Sequence, residues 1–268
     1  MSLKLSEVAS GNPLLVAEGL CKRFGGVSAV DSVSLLVLPR ELRGVIGPNG
    51  AGKSTLFNLI TGHLQPDAGT IRFDDRRIDG LSPDRRARLG IAIAFQSVRL
   101  FRGMTVIENV MVGAHSWTHH GMWEAALSLP RHRHEEPEIT ERAGLALERA
   151  GIAHLAGRLA ESLPLGQQRA VQVARALCGN PRLLLLDEPA SGLRGSEREH
   201  LAVLIESLRD EGLSMLLVEH DVAFVTRLAQ NVTVIDRGRV IASGTPDEIR
   251  RDPVVVAAYL GHAGGESA

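Results

Sequence analysis

The chain has 268 residues, 44% of them apolar, and a formal net charge of −1 at pH 7. That is ordinary globular composition, enough for one large domain or two small ones. A charge so near zero excludes the broad basic field of a nucleic-acid binder or an anionic-membrane binder. No apolar run approaches the ~20 residues of a bilayer span, and the polar segment 1–12 reads as no leader. Cys21 and Cys178 are far apart and outside metal-ligand spacing, so they read as free thiols of a reducing compartment. Lysine is scarce: Lys4, Lys22 and Lys53 are the only ones.

In chain order, Leu14–Glu18 and Val33–Leu38 read as strands split by a turn at Gly25-Gly26, and Leu42–Ile46 as a short buried strand. Next comes Gly47-Pro48-Asn49-Gly50-Ala51-Gly52-Lys53-Ser54-Thr55, which fits the phosphate-loop pattern G-x-x-x-x-G-K-[ST] between a strand and a helix over Ser54–Ile60. Glycines let the backbone wrap an anion, and the amides and helix N-terminus then face the phosphates. Lys53 reaches the β and γ phosphates in such a loop, and the Ser54 hydroxyl binds Mg²⁺. Ile71–Phe73 is a further strand before a turn at Asp74-Asp75. With the first two it predicts a small antiparallel sheet beside the nucleotide site.

Ile91–Phe95 reads as a strand followed by Gln96. From Val98 to Leu163 the pattern is helical, with apolar periodicity in Glu108–Val112 and Glu141–Ala150. Between them Gly113–Thr140 reads as an inserted helical excursion with Pro130 and Pro137 as breakers. Its histidines (His115, His119, His120, His132, His134) read as a solvated face rather than metal ligands. Gln167–Cys178 is helical. Leu183–Leu186 is the continuous apolar run of a strand buried on both faces. It delivers Asp187 and Glu188 to its carboxyl end, where open α/β sheets bind ligands. Asp187 would hold Mg²⁺ through water, and Glu188 would polarise an attacking water. Alternation then continues through Ser196–Asp210, Ser214–Val218, Val222–Ala229, Val232–Asp236, a turn at Arg237-Gly238, and Arg239–Ala242. This is a parallel α/β core.

Taken together, the loop, the acidic strand end and their order resemble the ATP-binding cassette (ABC) family over nearly the whole chain. The resemblance implies a P-loop NTPase core with a mainly parallel sheet, a small antiparallel β-subdomain and an inserted helical subdomain. It implies one nucleotide-binding domain over residues 12–261. Residues 12–97 and 167–243 would form the core with its β-subdomain, 98–166 the helical subdomain with its insertion near 113–140, and 244–261 a C-terminal extension. It also implies roles. Gln96 looks like the family's glutamine loop, sensing Mg²⁺ and the γ-phosphate. His220, in Val218-Glu219-His220-Asp221, looks like the switch histidine, and Phe24 like the aromatic that stacks on adenine. Catalysis would rest on Glu188, His220, Gln96 and Lys53, and the metal on Ser54, Gln96 and Asp187. Gly166 and Gln167 belong to the signature run Leu163-Pro164-Leu165-Gly166-Gln167-Gln168-Arg169, which would face the nucleotide of a second cassette. That run departs from Leu-Ser-Gly-Gly-Gln: Pro164 replaces the serine and brings neither hydroxyl nor N–H. Arg194 stands where the family often has Asp. Pro164 thus implies weakened or asymmetric closure of the pair rather than a dead site, and Arg194 implies altered communication across the pair at its position.

Phe95–Phe101, Met104–Val110, the long excursion and the tail Gly244–Ile249, Asp252-Pro253-Val254 and Ala258-Tyr259-Leu260-Gly261 are similar to the longer ATPase subunit of branched-chain amino acid importers. That branch implies ATP and Mg²⁺ as ligands and a head-to-tail pair with a different, shorter ATPase. It also implies two permease subunits, an indirect link to an extracytoplasmic solute-binding protein, and a place on the cytoplasmic face of the inner membrane. Urea or short amides are alternative solutes. An ATP-dependent switch outside transport, a lipid-extracting cassette and a degenerate regulatory cassette are alternative classes.

Overall fold

The computed structural model describes residues 12–116 and 132–263. β1 (Leu15–Phe24) and β2 (Val27–Val37) form an antiparallel hairpin that closes with Phe24 opposite Val27. Both strands run further than their apolar stretches suggest. Register shifts beyond Ala17 break the alternation there, while backbone pairing continues to Phe24. β3 (Leu42–Ile46) is buried throughout and leads into α1 (Lys53–Thr61). β4 (Ala68–Phe73) and β5 (Arg76–Arg77) flank the Asp74-Asp75 turn, and α2 (Pro83–Arg88) follows. Next are β6 (Ile91–Ala94), α3 (Val106–Met111), α4 (His132–Arg149) and α5 (Leu165–Cys178). The chain continues through β7 (Leu183–Asp187), α6 (Gly195–Asp210), β8 (Ser214–Val218) and α7 (Val222–Leu228). It ends with β9 (Asn231–Asp236), β10 (Arg239–Gly244), α8 (Pro246–Arg251) and α9 (Pro253–Ala263).

Two compact units emerge. The first comprises Met1–Arg86, Leu185–Glu188 and Arg209–Ala268. Its antiparallel sheet runs β2-β1-β4-β5. Its second sheet places β3 between β8 and β9, parallel to both, with β10 antiparallel outside β9 and the carboxyl end of β7 beyond β8. Arg237-Gly238, both at positive φ, make the tight β9–β10 turn. β3 and β8 are buried along their whole length, as in a sheet covered on both faces. α7 packs on β3, and α1 contacts β8.

The second unit comprises Ala87–Leu184 and Pro189–Leu208. α3, α4 and α5 pack on one another there, and α5 also packs on β6. Thr105 and Glu108 form a capping box that starts α3. Pro137 does not break the chain. It lies inside α4 as its sixth residue, where it removes one helical hydrogen bond, and packing on α3 and α5 holds the helix. Most of the His-rich stretch, His119 and His120 included, lies outside the described residues. The backbone of His115, His132 and His134 is helical.

Candidate functional site

In the first unit, the loop after β3 turns sharply to enter α1. A Cβ at Gly47 would sit 2.1 Å from the Ile235 carbonyl oxygen. Gly52, at φ 102°, would bring one within 2.3 Å of the Ala29 carbonyl. The loop is therefore pressed between β9 and β2, and only glycine fits at both ends. The Gly238 N–H donates to the Ala51 carbonyl at 2.9 Å and fixes its middle. Asn49 and Gly50 are exposed at the tip, while Gly47 and Pro48 are buried beneath it. α1 has no side-chain cap and no acid in its first turn, so its leading amides and positive dipole end are left for an anion. Ser54 is exposed and Thr55 half-buried at that end.

Lys53 is only 5% exposed. Its ammonium donates to the carbonyls of Gly47 (2.7 Å) and Pro48 (3.0 Å). Burial lowers its pKa, and Glu188, Glu219 and Asp187 oppose that shift. These acids stand at the carboxyl ends of β7 and β8. Burial, reinforced by Glu188 and Glu219, pushes the Asp187 carboxyl up to about 6 against the pull of Lys53. Glu188 has φ 41°, a left-handed backbone in a non-glycine residue. Such a conformation costs about 1–2 kcal/mol. Its N–H, bonded to the Val218 carbonyl at 2.8 Å, helps hold it there.

Glu219, 1% exposed, was not singled out from the sequence. Its carboxylate accepts from the His220 N–H at 3.1 Å and lies 3.3 Å from His220 Nδ1. His220 itself is half exposed, with Nδ1 3.9 Å from Glu188 Oε2. The structure thus brings Lys53, Asp187, Glu188, Glu219 and His220 together at the phosphate loop. Phe24, 49% exposed at the end of β1, has the Lys22 ammonium 6.0 Å from its ring centre. Asp67 takes both Lys22 Nζ (2.7 Å) and the Arg23 N–H (2.8 Å), which orders the strand end carrying that ring.

The acids at the loop outnumber the one buried ammonium, and Glu188 and Glu219 add to the burial that raises the Asp187 pKa. A hard divalent cation fits that setting and the Ser54 hydroxyl. Among the described residues, no group of three His, Cys, Asp or Glu side chains could hold a metal by itself. Phosphate oxygens and water would have to complete the shell, as is usual for Mg²⁺.

The second unit holds the other expected site residues. Gln96 is exposed two residues after the end of β6. Three side chains of α5, spaced three residues apart, donate to backbone carbonyls of this segment. Arg169 reaches Phe95 (3.0 Å), Gln172 reaches Ser97 (2.9 Å), and Arg175 reaches Arg99 (2.7 Å). Arg169 also donates to Ser191 (3.2 Å). This clamp was not foreseen, although polar residues on the buried face of a helix are a readable signal. Pro164 caps the start of α5, and its carbonyl accepts from Gln168 at 3.0 Å. The Gly166 N–H, expected to face a phosphate, donates to Glu197 Oε1 of α6 at 3.1 Å. Gln167 is half-buried and Arg194 exposed.

The sequence profile of the ABC transporter family matches residues 30–191. A second profile, of the branched-chain amino acid ATP-binding cassette transporter, matches residues 239–264. The high-affinity branched-chain amino acid transport ATP-binding protein LivG of Salmonella typhimurium is 44% identical over 252 residues, 94% of this chain and 99% of its own. BraF of Pseudomonas aeruginosa, described in the same words, is 42% identical over the same shares. The crystal structure of the ADP conformation of MJ1267, an ATP-binding cassette of an ABC transporter, superposes with a TM-score of 0.80 at 30% identity, covering 94% of this chain and 100% of that one. Similarity this extensive in both sequence and fold, joined to a phosphate loop built as described, means that the chain belongs to the ATP-binding cassette family: it is an ATP-hydrolysing subunit of an ABC transporter, of the kind that works in pairs with membrane permease components.

Proposed function

We propose that this subunit hydrolyses ATP to power import of branched-chain amino acids, as a head-to-tail pair with a second, different cassette ATPase. The observation that carries the chemistry is the convergence of Lys53, Asp187, Glu188, Glu219 and His220 at the mouth of the phosphate loop. Phosphoryl transfer needs positioning and charge stabilisation more than covalent chemistry. Lys53 and the amides of Gly47–Thr55 would bind the phosphates, and Phe24 would stack on the base. Glu188 would take the proton of the attacking water. His220 would meet the γ-phosphate, its ring oriented by Glu219. A carboxylate 3.3 Å from Nδ1 calls for a proton on that nitrogen and leaves Nε2 to the substrate. Mg²⁺, held by Ser54 and through water by Asp187, neutralises phosphate charge when bound. Gln96 would sense Mg²⁺ and the γ-phosphate, the role that the family resemblance gives it.

The solute rests on the similarity to LivG and BraF and on the C-terminal profile. In the second unit, an open cleft of about 420 Å³ lined by Phe95, Arg99, Phe101, Arg175 and Pro181 suits a permease segment. No helix among the described residues is long and apolar enough to cross a membrane. This fits peripheral attachment through such a permease, on the cytoplasmic face of the inner membrane. A solute-binding protein would act on the far side.

The test is purification from native membranes with assay of the isolate. A shorter cassette ATPase, two permease subunits and ATP turnover stimulated by leucine-loaded binding protein would support the reading. Stimulation by urea or short amides instead would move the solute. A soluble homodimer lacking membrane partners would favour a switch outside transport.

The Glu197 contact yields a further expectation. If the Gly166 amide serves the partner's ATP, it must first leave Glu197. Glu197→Ala should then strengthen ATP-dependent pairing by roughly three- to tenfold, the worth of one charge-assisted hydrogen bond discounted for exposure. Light scattering of the Glu188→Gln background against ATP concentration would measure it. Weaker pairing would mean that Glu197 merely caps the helix.

A further inference from the structure

The C-terminal segment takes no part in the chemistry above. Within it, Tyr259 on α9 is the only tyrosine of the chain. Its hydroxyl is buried without a hydrogen-bond partner among the described residues. It lies against the backbone amide of Gly47, short of hydrogen-bond geometry. Burial pushes the phenol up to about 12, and the Gly47 amide pulls the other way. The group is thus neutral at any physiological pH and able to accept from an N–H.

A buried hydroxyl with no partner is costly, and phenylalanine would fill the same space without that cost. The expense makes sense if the partner arrives with a conformational change. Gly47 opens the phosphate loop, and its other flank is closed by the Ile235 carbonyl of β9. α9 packs on β10 and α8, so the ring is mounted on formed structure. The first residue of the loop is therefore held between β9 and the C-terminal helix.

We propose that Tyr259 is a positioning residue for the phosphate loop: its hydroxyl accepts the Gly47 N–H when the loop tightens around a nucleotide. The ATPase reading underlies this role. The C-terminal helix then sets ATP affinity without touching ATP.

The experiment uses the full chain. Tyr259→Phe removes one oxygen and keeps the packing. Calorimetric titration with ATP should show about fivefold weaker binding, equivalent to ~1 kcal/mol, while Tm stays at or slightly above that of the wild type. Because the tyrosine is unique, uniform 3-fluorotyrosine labelling yields a single ¹⁹F resonance, and ATP should shift it. Equal affinity in the two proteins, a resonance indifferent to ATP, or affinity and Tm falling together would overturn the proposal. Wild-type protein that binds no ATP would overturn the ATPase reading itself, and this inference with it.

Discussion

Glu188→Gln should lower kcat by at least about 100-fold, the range general-base catalysis supplies, while ATP binding is kept or strengthened. The amide is isosteric, so the strained backbone at φ 41° and the N–H bond to Val218 persist. What disappears is a carboxylate beside His220; the other one there, Glu219, is buried. One negative charge also leaves the cluster in which Glu188 and Glu219 add to the effect of burial on Asp187, which favours an anionic ligand. Single-turnover hydrolysis in the assembled complex, with ATP affinity measured in parallel, separates the two effects. Turnover near that of the wild type would move the catalytic base elsewhere.

A second large effect concerns stability. Arg86 is 1% exposed and sits in α2. Its guanidinium donates to the carbonyls of Leu59 (2.8 Å), Ile60 (2.7 Å), Leu81 (3.0 Å) and Asp79 (3.1 Å). Two of these are at the carboxyl end of α1, where the helix dipole is negative and carbonyls lack helical partners. Burial drags the Arg86 pKa down to about 10, opposed by Asp79, so it stays charged at neutral pH. Arg86→Met fills similar space but strands four carbonyls at about 1 kcal/mol each. The expected loss is about 4 kcal/mol, a fall in Tm of roughly 10 °C. Thermal unfolding would register it. A Tm within a degree or two of the wild type would mean that water replaces the guanidinium.

The phosphate loop and the β7 end were legible because their chemistry fixes both residue type and spacing. A strand, a glycine-bounded turn and a Lys-Ser pair leave little freedom, and Leu183–Leu186 announces a buried strand before Asp187. Glu219 is legible in the same way, as an acid directly after the apolar β8. α2 was not, since a six-residue, charge-rich helix has no apolar periodicity; its reason to form is the buried Arg86. α8 carried a readable start signal, Thr245-Pro246 with Glu248 closing a capping box, in a stretch interpreted only by resemblance. The clamp of α5 on the segment Phe95–Arg99 depends on tertiary approach, and no local pattern specifies which carbonyls three polar side chains will reach.

Scarcity of lysine has a practical corollary. Lys53 lies under the phosphate loop, and Lys22 stands beside Phe24. Two of the three primary amines on side chains therefore border the places proposed for phosphate and base. Acylating reagents, which on most proteins decorate the whole surface, would here report on nucleotide occupancy, and ATP would act as the protecting group.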